Sequence, residues 1–394
     1  MDWSRNRRRP RPAPGRGPRS RLERQLAGQL ERGLRGLMAR PEAQRWAPWI
    51  VAGLLVCLAI WVARQRADRP GPAAAMPAGG ILVCTWNVEN FFDDVDDPNS
   101  HDESEDWFAS DPGAFADKVA TLADALFELG DGRGPDVIAM VEVESLRSAE
   151  ALRTELNTRL DPAWQYRGVV FRANHTGRRF APAVITRLPV RDDLTRTFGI
   201  RRTLEAHLGT DDRPLTLLVS HWTSRVTDSV GTKRAAYADS LYRAFLQHYR
   251  TDPSVDLLIA GDFNDTPDDP SLRENLHTTA DPAQARAGGI SPRLLDLPAL
   301  LDQERTGTYY YSGRWEFLDH FLASPGLFDD QGWSVVADSI RVADGPATRG
   351  ARDGRPLRFG KEENKGRRGP SDHFALTVRL IPAGQAAEVA SASR

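Results

Sequence analysis

Six places in this 394-residue chain set a polar, chemistry-bearing side chain at the end of a short apolar run. The fullest is Leu257-Leu258-Ile259-Ala260-Gly261-Asp262-Phe263-Asn264, which stops at a glycine and then presents Asp262 and Asn264 two residues apart. Strand geometry, with its period of two, predicts that both side chains point the same way. A carboxylate that only accepts hydrogen bonds, beside an amide, suits a hydrated hard cation or a water held next to a phosphate. The same pair also suits a turn or a helix cap, so the other five places decide. Asn87 follows Cys84-Thr85-Trp86, Glu142 ends Val137-Ile138-Ala139-Met140-Val141, and His221 ends Leu217-Leu218-Val219-Ser220. Asp319 sits in Phe317-Leu318-Asp319, and Ser371-Asp372-His373 precedes the last apolar run. Singly these read as a turn residue, strand-edge charges and satisfied core histidines. Together they are what an active site built on one rim of a sheet requires.

The elements that must hold these residues are legible as short apolar strands at 81–86, 136–143, 166–171, 183–186, 215–221, 257–260, 317–323 and 374–380. Helix-period apolar positions lie between them at 114–129, 145–160 and 234–249. Mixed strands with intervening helices predict stacked sheets covered by helices, in one domain over residues 80–382. Residues 383–394 are small and polar and read as a disordered tail.

The start of the chain is of another kind. Residues 1–70 carry 16 Arg against 5 acidic residues, a balance of +11, which leaves −13 for the rest of a chain whose total is −2. So acidic a remainder gains nothing from bulk electrostatics when it approaches nucleic acid or an anionic bilayer; phosphate recognition there has to be local. Residues 1–45 read as a basic tail with Leu22, Leu26, Leu30, Leu34 and Leu37 striping one helix face, either on a membrane surface or against a partner helix. Residues 46–63 carry no charge and would span roughly 27 Å as a helix, close to a bilayer's apolar thickness. With Trp46, Trp49 and Trp61 at its ends and the Arg excess before it, the segment predicts a single transmembrane helix in a lipid bilayer. The N-terminus would then be cytoplasmic, residues 64–79 a linker, and the remainder periplasmic or extracellular, anchored in an inner or plasma membrane. Cys57 and Cys84 form no disulfide framework by spacing.

The ordered set Asn87, Glu142, His221, Gly261-Asp262-Phe263-Asn264, Leu318-Asp319 and Ser371-Asp372-His373 resembles the endonuclease/exonuclease/phosphatase superfamily over residues 80–382. Trp86-Asn87-Val88-Glu89-Asn90-Phe91-Phe92-Asp93 and Gly307-Thr308-Tyr309-Tyr310-Tyr311 point to a bacterial, membrane-anchored branch of it. The resemblance implies a four-layered α/β/β/α sandwich and a magnesium- or manganese-dependent phosphoesterase. It implies that Asn87, Glu142 and Asp372 hold the metal, that Asp262 orients or deprotonates the attacking water, and that Asn264 positions phosphate or metal. His373 would donate to a phosphate oxygen with Asp319 holding its ring, and His221 would be a second imidazole. Histidine at these positions is closer to the deoxyribonuclease and sphingomyelinase pattern than to apurinic endonucleases.

Glu144 shares strand parity with Glu142, and Glu142 matches the family register. Arg178 and Arg179 are expected to face substrate, and the eight basic residues between Arg349 and Arg368 to form either a basic lip or a solvated loop. The acidic stretch 93–106 reads as a solvated face, with an extra cation as the alternative. The substrate is expected to be a phosphodiester, nucleic acid first, with a lipid or small phosphate ester as the alternative. A third reading is a non-catalytic, membrane-tethered interaction protein.

Overall fold

The computed structural model describes residues 79–96, 108–175, 179–199, 203–351, 353–360 and 368–385. The chain divides into two units, Met1–Ala73 and Ala74–Arg394, and all the described residues belong to the second. Among them no helix is long and apolar enough to cross a membrane. The span expected at 46–63 lies outside the described residues, as do the basic tail, the leucine stripe, Arg178 and the C-terminal end from residue 386.

Fifteen strands and four α-helices are described. In chain order they are β1 (Ile81–Phe91), α1 (Pro112–Phe127), β2 (Val137–Val143), α2 (Leu146–Thr158), β3 (Gly168–Phe171), β4 (Ala181–Thr186), β5 (Arg196–Phe198), β6 (Thr203–Thr210) and β7 (Arg213–His221). There follow α3 (Thr232–Thr251), β8 (Leu257–Asp262), β9 (Thr278–Thr279), α4 (Pro282–Arg286), β10 (Leu294–Asp296), β11 (Tyr309–Tyr311), β12 (Arg314–Glu316), β13 (Asp319–Ala323), β14 (Trp333–Ala343) and β15 (Ala375–Pro382). One sheet has the order β14-β15-β1-β2-β4-β3 and the other β5-β6-β7-β8-β13-β10-β9, while β11 and β12 form a separate hairpin.

Burial of both faces explains why the central strands read as continuous apolar runs. Val83, Val137 and Val184 of the first sheet pack against Leu217, Leu258 and Phe321 of the second, forming the core between them. The outer face of the first sheet, with Ile138, Met140 and Ile185, is covered by Leu122 and Leu126 of α1 and Leu152 of α2. The outer face of the second, with Leu218, Ile259 and Leu322, is covered by Leu241 and Phe245 of α3. Helix, sheet, sheet, helix is the order of layers. Asp111 and Ser145 start the two helices on the first sheet, their side chains accepting from the N–H groups of Ala114 and Ser148.

Two expectations need correction. The run beginning at Leu257 does not stop at its glycine: β8 continues through Gly261 to Asp262. Gly261 is required there because its φ is +134° and a Cβ would lie 1.9 Å from the Ser220 carbonyl oxygen of β7. Sequence reading also misses β6 and β14, sheet strands whose polar and charged residues break the apolar run.

Candidate active site

On four strands the stripe of side chains facing the other sheet is apolar or neutral until its last member. Val83 and Thr85 lead to Asn87 on β1, Leu217 and Val219 to His221 on β7, Leu258 and Ala260 to Asp262 on β8, and Phe321 to Asp319 on β13. Strand pairing sets His221 and Asp319 on either side of Asp262. Asn87 reaches across from the first sheet, its Nδ2 donating to Asp262 Oδ2 at 3.0 Å and to Glu142 Oε1 at 3.1 Å. The rim that collects these groups is therefore shared by both sheets.

Strict alternation would turn Glu142 outward with Ile138 and Met140. Instead its φ is +67° and the pairing of β2 with β4 shifts register between Met140 and Val143, which brings the carboxylate round to the rim. There Glu142 Oε2 accepts the Asn90 N–H at 2.8 Å, whereas Glu144 accepts the Asp93 N–H outside the cluster. Glu89, Asn90 and Asn264 are also left-handed. A non-glycine residue held there costs about 1–2 kcal/mol, and such strain collects where a site over-determines its backbone.

Asn264 departs from the expected geometry. The chain leaves β8 at Asp262, so Asn264 does not stand beside it in strand register; its backbone N–H donates to Asp262 Oδ1 at 2.9 Å and its side-chain amide to the Trp222 carbonyl. Asn87 likewise shows its amide nitrogen to the two carboxylates, and its oxygen accepts the Glu89 N–H. Arg179 lies away from the rim, lining a cavity with Asp93, Glu144 and His175.

The loop before β15 supplies the remaining groups. Ser371 donates to the Asn87 carbonyl and accepts from the His373 N–H, and Trp86 Nε1 donates to the His373 carbonyl, so β1 fixes this loop at two points and the loop braces itself at a third. His373 Nδ1 then lies 2.7 Å from Asp319 Oδ2, and its Nε2 lies 3.9 Å from Asp262 Oδ2. Burial opposes protonation of His373, but Asp319, with Asp262 and Asp372 behind it, outweighs this and raises the imidazole to about 10. His221 Nε2 is 3.7 Å from both Glu142 and Asp262. Burial pushes the Asp262 carboxyl up, with Asp319 adding to this against the pull of His373, His221 and Asn87. Glu142, though buried, is held below its ordinary value by His221 and by the Asn90 and Asn87 N–H groups.

Four further residues complete the cluster. Asp372 is raised to about 7 by burial and by Glu89 and Glu142, against His373 and Arg358. Arg358, from the basic stretch, spans Glu89 at 2.7 Å and Asp372 at 3.2 Å, so one residue of that stretch reaches the cluster. Lys118 of α1 is fully buried beneath it, donating to the carbonyls of Glu89 and Pro370. Tyr309 lays its ring against His373 with centroids 4.7 Å apart. In the sequence Glu89 and Tyr309 lie within motifs and Arg358 within a basic run, and nothing there distinguishes them from their neighbours.

This arrangement holds a carboxylate near two imidazoles, one of them a stable cation, beside a cluster richer in carboxylates than in cations. A sequence profile described as the Endonuclease/Exonuclease/phosphatase family matches residues 82–381. No curated protein is significantly similar to the chain. Among solved structures, truncated TDP2 from Caenorhabditis elegans is 14% identical, covering 76% of this chain and 97% of that one, with a TM-score of 0.46. SmcL is 12% identical over 77% and 99% at 0.46, and beta toxin from Staphylococcus aureus, solved with bound magnesium ions, 11% identical over 77% and 99% at 0.47. Matched by its profile across nearly the whole two-sheet unit, the chain belongs to the endonuclease/exonuclease/phosphatase family, metal-dependent hydrolases of phosphoric ester bonds.

Proposed function

We propose that this chain hydrolyses a phosphodiester by attack of water at phosphorus, with Asp262 as the group that takes the water's proton. The carrying observation is the array Asp319–His373 beside Asp262, with Asn87 tying Asp262 to Glu142 across the two sheets. Asp262 is fixed from both sides, Oδ1 by the Asn264 N–H and Oδ2 by Asn87, so its carboxylate is oriented before substrate arrives. Burial raises that carboxyl from the usual range toward the working pH of a general base. His373, kept as imidazolium by Asp319, directs Nε2 at a non-bridging phosphate oxygen and stabilises charge that grows there. His221, across Asp262 from Asp319, protonates the leaving oxygen. Tyr309 covers one face of the His373 ring and limits its rotation.

The donor set fits a divalent cation. Glu89, Glu142 and Asp372 crowd together, with Arg358, Lys118 and the His373 imidazolium as the nearby cations among the described residues, and burial with this crowding holds Asp372 near 7; hard oxygen donors in excess of positive charge are what magnesium or manganese satisfies. Glu142 and Asp372 would hold it, and Asn87 would join them only by turning its amide, because its oxygen accepts the Glu89 N–H. When bound, such an ion polarises a phosphoryl oxygen and offsets charge on the leaving oxygen.

Nucleic acid is the first substrate class, as the resemblance to nuclease-like relatives implies, with Arg358 the basic side chain at the rim, already paired with Glu89 and Asp372. A lipid headgroup or small phosphodiester is the second, motivated by the apolar segment 46–63, while the −13 balance of residues 71–394 weighs against a polyanion. The full chain with magnesium is to be assayed on DNA, RNA, sphingomyelin and bis-p-nitrophenyl phosphate. Turnover that survives chelator, or an Asp262→Ala variant with unchanged kcat, contradicts the mechanism. We also propose that residues 46–63 anchor the chain in a bilayer with the catalytic unit outside the cytoplasm. Protease added to intact cells should cut residues 80–382; protection until lysis reverses the orientation.

A further inference from the structure

On the outer face of the second sheet, away from the rim, lies a group that the phosphoesterase reading does not use. Glu205 and His207 are two residues apart on β6 and so share a face, the one that pairs with Leu218 and Thr216 of β7 and packs under α3. The last turn of α3 places His248 over them. Nε2 of His207 lies 2.9 Å and Nε2 of His248 3.0 Å from the same oxygen, Glu205 Oε1. The ligand atoms of all three residues fall within 4.8 Å of one another. Glu205 is 1% exposed while both imidazoles are partly open to solvent.

We propose that Glu205, His207 and His248 form a zinc-class metal site, separate from the catalytic carboxylates, that pins the C-terminal turn of α3 to β6. Two imidazoles and one carboxylate are a donor set for a borderline first-row ion, whereas magnesium prefers oxygen alone. Zinc bonds of about 2.0–2.1 Å at tetrahedral angles set ligand atoms about 3.3 Å apart. The observed 2.9 and 3.0 Å contacts therefore need to open by only about 0.3–0.4 Å, well within side-chain motion. A carboxylate oxygen only accepts, so both Nε2 atoms donate to Glu205 Oε1; a bound ion takes the place of those protons at Nε2, which leave for Nδ1 or for solvent. For His207 an acceptor is in place, Thr216 Oγ1 at 3.4 Å from Nδ1, the kind of outer partner that fixes a ligating histidine's tautomer. Arg196 occupies the other carboxylate oxygen, Oε2, at 3.0 Å and leaves Oε1 to the ion. The partial exposure of both rings leaves an open fourth position for water and a route of entry.

The test uses the full chain stripped with chelator and then held in excess magnesium, which occupies the catalytic carboxylates. Zinc chloride is titrated by calorimetry, and cobalt chloride by visible absorption, into wild type, His248→Gln and the double variant His207→Gln/His248→Gln. Wild type should bind one zinc per chain more than the double variant, show the intense visible bands of tetrahedral cobalt, and gain Tm in micromolar zinc. The variants should lose the extra zinc, the bands and the Tm gain while keeping their phosphodiesterase activity in magnesium. Equal zinc stoichiometry and equal Tm response in wild type and His248→Gln would overturn the proposal and leave the three residues as a hydrogen-bond network. Because His248 is partly exposed on a helix, the single variant keeps the test decisive if the double variant fails to fold.

Discussion

Replacing Asp319 by Asn removes one charge from the buried pair on which the His373 cation depends, while preserving shape. The wild-type imidazole is raised from 6.5 to about 10, and at 1.36 kcal/mol per pH unit the protonated form is favoured by about 5 kcal/mol over an ordinary histidine. Burial acts in the opposite direction, so the carboxylates together supply more than that, and Asp319, at 2.7 Å, is the largest contributor. Without it His373 should titrate at or below its ordinary value and be neutral at pH 8. Loss of the charged donor then predicts a fall in kcat/KM of about 10²–10⁴-fold at pH 8, with the alkaline limb of the pH profile moving from near 10 to neutral or below. The stability effect has its own signature. A histidine raised on folding contributes stability that is complete below 6.5 and lost as pH rises through about 10, so the gap between wild type and variant should be widest in acid and close toward pH 10. Two assays apply: kcat/KM against pH with bis-p-nitrophenyl phosphate, and NMR titration of His373 in chelator, which reads the protein's own carboxylates alone. A variant histidine that still titrates near 10, or an unmoved alkaline limb, refutes the pairing as the source of the cation.

Asp256, just before β8, is a different case: burial, with Asp329 and Asp252, raises it from 3.8 to about 8, although the Trp333 N–H donates to Oδ2 at 2.7 Å. The folded state then keeps a proton that the unfolded chain gives up, so stability falls as pH rises from about 4 to 8; Asp256→Asn should be up to about 5 kcal/mol more stable than wild type at pH 8 and no more stable at pH 4, by urea unfolding. Gly261→Ala should destabilise by on the order of 3–5 kcal/mol, because β7 and β8 must separate to admit the methyl, and soluble yield and Tm report it. Lys118→Met leaves the Glu89 and Pro370 carbonyls buried without their donor, at about 1–3 kcal/mol each. It should also lower kcat/KM by loosening the end of β1 that carries Glu89 and the loop that carries Asp372, whereas Lys118→Arg, too large for the site, should not rescue it.

What could be read from the sequence follows from which faces are buried. β1, β2, β7, β8 and β13 are covered on both sides, so each is built around a mainly apolar run, and the polar residue that ends its inward stripe stands out: Asn87, His221, Asp262 and Asp319 are all of this kind. β6 carries Glu205 and His207 inside its run, and β14 is interrupted by Ser334, Asp338, Ser339 and Arg341 without regular alternation, so neither shows the same contrast. Period-two reasoning fails where the backbone departs from the strand. It put Glu142 and Glu144 on one face, and Asp262 with Asn264 on one face, but left-handed residues at Glu142 and Asn264 separate each pair. The residues that sequence passed over are joined to the site only by tertiary structure. Lys118 is spaced like an ordinary surface charge on α1 yet is fully buried, and Arg358 meets Glu89 from 269 residues further along the chain.

The same contrast bears on how the site works. The groups that move protons in the proposed reaction end regular strands, where pairing with a neighbour fixes each Cα, and this rigidity suits atoms that must hold their spacing to a bent water and a phosphate. Glu142 and Asp372, which would hold the ion, sit instead on a left-handed kink and a loop, and their charge is balanced by Lys118 and Arg358 from distant parts of the chain. Carboxylates so placed can close on a cation without disturbing strand register. Changes at Glu142 or Asp372 should therefore weaken magnesium binding while leaving the Asp319–His373 pair intact, and changes at Asp319 should do the reverse. A calorimetric magnesium titration beside the His373 NMR titration, in Asp372→Asn and Asp319→Asn, separates the two. Equal loss of both properties in either variant would show that strand ends and loops act as one unit.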